Sequence, residues 1–305
     1  MTAASVITSP GTDGPPARSV PGVRGVRGTL RWLAGQPALA TAIGALVLIV
    51  LLACFGPLVW PDSPDQINLL AALHPPSLAH PMGTDEFGRD VFARFMAGAR
   101  ISLLVGFVVV VTGAVIGGVI GLSAGAWRGA RETVLMRFMD AILAFPALIL
   151  AMTVTVGLGV GIVTSAIGIT IASVPWYARV VRSEVVRIRS MPFVEAVVAL
   201  GARQRRVMYR HILPSLMPTL LVQAAAAFGY SILALAALGF VGLGAQIPTP
   251  EWGAMITDGL SYTVTGQWWT GVFPGLGLLL TSTMASVIAD RCRDLLDPKG
   301  EYARV

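Results

Sequence analysis

Residues 141–178 read AILAFPALILAMTVTVGLGVGIVTSAIGITIASVPWYA, thirty-eight positions without one charged side chain. As a single helix rising about 1.5 Å per residue, this run would extend about 57 Å, nearly twice the roughly 30 Å hydrocarbon core of a bilayer. Length therefore calls for two membrane-crossing helices with a break between them. The break falls at Gly157-Leu158-Gly159-Val160-Gly161, where glycine frees the backbone for a tight turn. A glycine cluster can also cradle phosphate, but a turn between two spans is the stronger reading.

Working outward, Ala38–Val59 is uncharged and about 33 Å long as a helix, ending at Trp60 and Pro61. Tryptophan suits a membrane–water interface. Ile101–Trp127 is a further 27 uncharged residues, read as one long or tilted helix. Ile212–Pro250 is uncharged too, but its Gly/Pro-rich end from Gly239 makes it one span plus an outer loop. Gly259–Ala289 supplies the last span, opened by Trp268 and Trp269. The expected spans are 38–60, 100–127, 135–157, 161–180, 213–242 and 268–289. They leave an outer loop at 61–99, a cytoplasmic loop at 181–212, and tails at 1–37 and 291–305. The fold class is all-α, a polytopic membrane protein of about six transmembrane helices.

Composition agrees. Of 305 residues 55% are hydrophobic and only 12% charged, with mean hydropathy +0.74; a soluble domain carries about 25% charged residues. The net charge of +6 does not signal nucleic acid, because the arginines flank apolar runs and form no basic face. Their distribution orients the chain. With six spans and the N-terminus inside, the cytoplasmic segments 1–37, 128–137, 179–210 and 291–304 hold 4, 3, 8 and 4 basic residues. The outer segments hold only Arg89, Arg94 and Arg100, beside five acidic residues from Asp62 to Asp90. This positive-inside pattern puts both termini in the cytoplasm. Seven spans would put the C-terminal basic residues outside. Cys54 and Cys292 lie on separate elements, so neither a disulfide nor a metal site is expected. Leu51–Cys54 matches a lipoprotein cleavage box, read here as a chance match inside a spanning helix.

No chemical engine is visible. The three histidines His74, His80 and His211 form no His-Glu-x-x-His pattern, and no Gly-x-Ser-x-Gly elbow exists. A phosphate-binding P-loop needs Gly-Lys-Ser/Thr, whereas the single lysine, Lys299, precedes Gly300. The chain is therefore expected not to be an enzyme and to have no catalytic residues. Asp140, one turn after Arg137, reads as a structural ion pair or helix-end charge at the mouth of the third span. Gln223, Tyr230 and Ser231 in the fifth span are polar. Lining a transport pathway and bonding one helix to another stand as equal readings of them.

One cytoplasmic stretch stands apart. In residues 189–214, Ser190 is placed to cap a short helix opened by Pro192 and Glu195, with Val194, Val197 and Val198 on one face. Gly201 ends it, and a basic second helix holding Arg205 leads to Pro214. An apolar face on a cytoplasmic loop marks a partner site.

Glu195-Ala196-Val197, Gly201 six residues after the glutamate, and Ile212-Leu213-Pro214 resemble the "EAA" loop of binding-protein-dependent ABC importer permeases. Val197 stands where a third alanine is usual, and His211 where isoleucine is frequent. A second stretch, Gly83-Thr84-Asp85-Glu86-Phe87-Gly88-Arg89-Asp90 through Arg94, followed by Gly98–Leu103, is similar to the signature after the first span of DppC/OppC-type peptide permeases. The closing Asp290–Pro298 resembles that group as well, so the resemblance covers about residues 38–300. It implies the type I ABC importer permease fold and a non-catalytic subunit in the bacterial inner membrane. The implied partners are a second, DppB/OppB-like permease, two ATPase subunits carrying ATP and Mg, and an extracytoplasmic peptide-binding protein.

The resemblance assigns ATPase coupling to Val194, Glu195, Ala196, Val197, Val198, Gly201, Arg205 and Pro214. Gly83, Thr84, Asp85, Gly88, Arg89 and Asp90 would form an extracytoplasmic gate or dock the binding protein, with a purely structural ion pair as an equal reading. Peptides, nickel chelates and related solutes are all substrates of this group. A self-sufficient secondary transporter is the rival class.

Overall fold

The computed structural model describes residues 36–127 and 129–296. Its helices are α1 (Pro37–Val59), α2 (Val91–Ala126), α3 (Ala130–Leu143), α4 (Ala147–Leu158), α5 (Ile162–Arg189), α6 (Pro192–Ala199), α7 (Gln204–Val207), α8 (Leu213–Phe240), α9 (Trp252–Thr263) and α10 (Trp269–Leu296). A π-helical turn, Met208–Ile212, joins α7 to α8. Sheet structure among the described residues is limited to an isolated bridge between Thr84 and Asp90.

The boundaries follow from local chemistry. The Asp90 carboxylate accepts the Ala93 amide at 2.9 Å and caps α2. That helix therefore begins nine residues before the expected start at 100, and the last nine residues of the expected outer loop are helical. Its 36 residues extend about 54 Å, so the turns holding Arg94 and Arg100 continue the helix beyond its uncharged run. Read as too charged to span, those turns had looked like loop.

The expected span at 135–157 is interrupted. Pro146 has no amide to donate and steers its predecessor away from helical geometry, and α3 and α4 meet there at 87°. Among the described residues, four helical stretches are long and apolar enough to cross a bilayer: Pro37–Gly56, Val91–Ala126, Gln204–Phe240 and Trp269–Asp294. The bent α3–α4 pair brings the count to five, against the expected six. The shortfall is α5, whose C-terminal half carries Arg179, Arg182, Glu184, Arg187 and Arg189 on the same helix as its apolar first half. The break between α4 and α5 does fall in the glycine cluster, with Gly159 in left-handed geometry at φ +97°.

Packing is built on one stripe of small residues. Gly113, Gly117, Gly121 and Gly125 recur every fourth residue of α2 and face α5. A Cβ on Gly117 would lie 2.5 Å from the Tyr177 Cβ, and one on Gly121 would lie 2.5 Å from the Ala178 carbonyl. Such stripes let membrane helices approach until their backbones touch. At one end of the molecule, Val91, Leu103, Ile232, Trp252, Met255 and Trp269 form a buried cluster joining α2, α8, α9 and α10. Another cluster gathers α5 and α8 around the α6–α7 loop. Between these ends, large side chains such as Leu48, Phe107, Val119 and Leu279 remain exposed on α1, α2 and α10. That is the surface a helix bundle presents to hydrocarbon or to partner helices.

Candidate functional site

The α6 loop is a short lever with a buried stripe at Val194 and exposed residues flanking it. Pro192 opens the helix. Ser190 does not cap it: its hydroxyl donates to the Arg187 carbonyl at the end of α5, and Met191 takes the capping position without a side-chain bond. Val194 is 2% exposed and packs among Val185, Ile188, Val207, Ile212 and Leu216, with Val197 half-buried beside it. The expected shared outward face is therefore divided. Val194 and Val197 serve the internal core, while Val198, with Phe193 and Leu200, which sequence reasoning passed over, stays exposed. Glu195 and Ala196 are exposed as well.

Gly201 ends the helix at φ +82°, where an L residue is strained. Its amide reaches the Val198 carbonyl at 2.9 Å, and the Ala202 amide reaches Val197 at 3.3 Å. Pro214 sits two residues after the π-helical turn Met208–Ile212, where the hydrogen-bond register of the continuous helix is already interrupted. Arg205 is exposed and borders a groove of about 570 Å³ with Trp127, Met208 and Tyr209. Two residues missed in the sequence clamp this loop. Arg189 Nη1 donates to the carbonyls of Gly125 and Ala126, each at 2.9 Å, and Gln204 Nε2 donates to Ala126 at 2.9 Å. They satisfy the open carbonyls at the end of α2 and tie both sides of α6 to the longest helix. Unpaired arginine and glutamine beside a helix end were the only sequence cue.

At the other end, residues 83–94 fold into a buried knot. Gly83 (φ +72°) packs so closely under Trp269 that a Cβ would come within 2.7 Å of its ring, and a Cβ on Gly88 (φ +69°) would lie 1.8 Å from the Asn68 carbonyl. Thr84 accepts the His74 amide at 2.8 Å and donates to the Ala71 carbonyl, while its own carbonyl takes the Trp269 indole N–H at 3.1 Å. Asp85 accepts the Phe87 and Arg89 amides and binds Arg89 Nε at 2.6 Å. Asp90 also accepts the Trp60 indole N–H at 2.8 Å.

Arg94, unassigned in the sequence, approaches Asp85 at 3.5 Å and donates to the Pro64 and Pro248 carbonyls. Glu251, also unassigned, is fully buried. It caps α9 by accepting the Gly253 and Ala254 amides, and Ser102 donates to it at 3.2 Å. Burial pushes its carboxyl above the usual carboxylate range against those three bonds. Thr84, Asp85, Arg89 and Asp90 are all at least nine-tenths buried. Their side chains hold the knot together and offer no surface to a docking protein.

The three polar residues singled out in the fifth span do not share one environment. Gln223 is half-buried, Ser231 is closed off inside the subunit, and Tyr230 is exposed beside a small cleft between α4, α5 and α8. Asp140 pairs with Arg179 at 2.7 Å, and Glu132 with Arg182 at 2.6 Å, so the ion pairs link α3 to α5.

Residues 117–301, which contain the whole α6 loop, match the family described as the inner membrane component of binding-protein-dependent transport systems. This chain belongs to that family. Among its relatives is the probable D,D-dipeptide transport system permease DdpC of Escherichia coli, 40% identical over 267 residues, covering 88% of this chain and 89% of that protein. The dipeptide transport system permease DppC of Alkalihalophilus pseudofirmus is 41% identical over 261 residues, covering 85% and 86%. In fold, this permease is similar to a chain of the MetNI methionine ABC transporter, with TM-score 0.53 and 21% identity over 66% of this chain and 95% of that one. The DppC/OppC-type assignment, the ABC importer permease fold and a multi-pass place in the bacterial inner membrane all follow.

Proposed function

We infer that this permease forms half of a peptide translocation pathway and is driven through α6 by a separate ATPase. The observation that carries the reading is the divided lever: Val194 is locked into the core shared by α5 and α8, while Phe193 and Val198 on the same short helix and Leu200 at its C-cap are exposed. A force on the outer side passes to two long helices with little slack, because the α2 clamp through Arg189 and Gln204 resists rotation of the loop. The family's binding-protein dependence supports an extracytoplasmic peptide-binding protein as donor. The dipeptide names of its relatives support peptides as cargo. A second permease of the same general fold would complete the pathway. Both termini lie in the cytoplasm in this reading, which takes the uncharged first half of α5 as the sixth span, and ATP and Mg belong to the ATPase.

Proteoliposomes containing the full set of subunits test it. ATP-dependent uptake of a labelled dipeptide is expected only when binding protein, ATPases and both permeases are present. Uptake by this chain alone without ATP would overturn the proposal.

A further inference from the structure

The geometry points to a divalent transition-metal site on the outer face, built from Asp62, His80 and Asp90. One ligand atom from each lies within 4.8 Å of the other two. His80 Nδ1 is 3.2 Å from an Asp90 oxygen and 3.8 Å from an Asp62 oxygen. Two ligands of one zinc ion at about 2.0–2.1 Å lie about 3.3 Å apart in tetrahedral geometry, so the His80–Asp90 pair already has ligand spacing and Asp62 closes the set by moving inward. A simple hydrogen bond does not account for the trio. One imidazole nitrogen carries at most one proton, so Nδ1 can serve the nearer Asp90 oxygen but not both carboxylates, and Asp62 has no other partner among the described residues.

The frame is fixed in advance. The second Asp90 oxygen is held by the Ala93 amide and the Trp60 indole, leaving the first directed at His80. The His80 backbone is held in a turn by Ser77, whose hydroxyl accepts the His80 amide at 3.1 Å. The three residues line a cleft of about 60 Å³ with Gln66 and Asn68, room for an ion and water. One imidazole and two carboxylates suit zinc, manganese or nickel better than calcium or magnesium, which favour all-oxygen shells. An ion there clips the segment just after α1 to the turn at 77–80 and to the N-cap of α2. It therefore staples the outer knot from a side that the Asp85–Arg89 pair does not reach.

The test uses the full-length chain in lipid nanodiscs, purified without a polyhistidine tag. Metal content is measured after exposure to Zn²⁺ and a brief wash, and Co²⁺ absorption reports coordination. The expected result is one ion per chain and a raised melting temperature with Zn²⁺. Both are lost in Asp62→Asn and in His80→Gln, with about tenfold or greater weakening of binding, and both are retained in His74→Ala. Asp90 is left intact because it caps α2. Absence of bound ion in the wild-type chain, or equal occupancy in Asp62→Asn and His80→Gln, overturns the site and leaves only a His80–Asp90 hydrogen bond.

Discussion

Arg89 Nε lies 2.6 Å from Asp85 Oδ2, and both side chains are almost closed to solvent. A pair so placed cannot reach a docking protein, so its removal acts on the fold. Arg89→Glu leaves two buried carboxylates facing each other. Breaking a buried pair costs roughly 3–5 kcal/mol, with Arg94 at 3.5 Å from the same oxygen softening the loss for Arg89→Ala. Thermal melting in detergent is expected to fall for both, more for Arg89→Glu. An unchanged melting curve with lost uptake would restore a docking role.

The divided lever separates two kinds of variant. Val194→Asp buries an unpaired charge in the core beneath α6 and costs about 4 kcal/mol or more, lowering the yield of folded protein. Val198→Asp and Leu200→Asp change exposed positions, so folding is retained. Loss of a docking hot spot of roughly 2 kcal/mol weakens ATPase binding about thirtyfold. Co-purification of the ATPase with each variant, alongside its melting temperature, makes the comparison.

Gly201 has nothing within 4 Å of where a Cβ would sit, so substitution there acts through backbone strain. Gly201→Ala costs about 1–2 kcal/mol, and Gly201→Asn less, because asparagine tolerates the left-handed region. Gly201→Asp is expected to insert in the membrane and to uncouple ATP hydrolysis from uptake. Normal import by that variant would contradict the coupling role of Gly201.

Glu251 sets a pH dependence. Its folded carboxyl titrates above the unfolded value because it is buried. The native state therefore binds its proton more tightly, and its contribution to stability is fully present below the unfolded value, near 4.3. That contribution is lost as pH rises through the folded value. Glu251→Gln removes the charge while keeping an acceptor for the Gly253 amide. Melting temperature measured from pH 5 to pH 8 is expected to fall less steeply in the variant than in the wild-type chain.

Gly117→Val drives a branched side chain into Tyr177 and the Val174 carbonyl. Overpacking costs about 1–3 kcal/mol or more. The same change at Gly118, which has open space around it, is the control. Melting of the two variants side by side reads the difference.

The sequence carried the apolar runs, the glycine break at 157–161 and the α6 loop, because each depends on local composition. It misplaced what depends on tertiary partners. The start of α2 turned on the Asp90 cap, visible only once Arg94 was seen to find Asp85 and two carbonyls rather than water. The bend at Pro146 hid inside a continuous apolar run. The α6 face was read from periodicity, which shows that Val194 and Val197 share a side but not that α5 and α8 already occupy it. Glu251 looked like a loop acid because nothing local announces that Ser102, 149 residues earlier, shares its site. His80 gave no metal-ligand spacing, since its companions come from the segment just after α1 and the N-cap of α2.

The central claim is that this permease has no engine of its own and takes its drive through the outer side of α6. The most direct measurement is dipeptide uptake and ATP hydrolysis, recorded together, in proteoliposomes of the complete importer bearing Val198→Asp or the wild-type residue. The account predicts ATP-dependent uptake with valine, and uptake reduced to background with aspartate in a chain that still melts at the wild-type temperature. Wild-type uptake by the aspartate variant, or uptake without ATP, would contradict it.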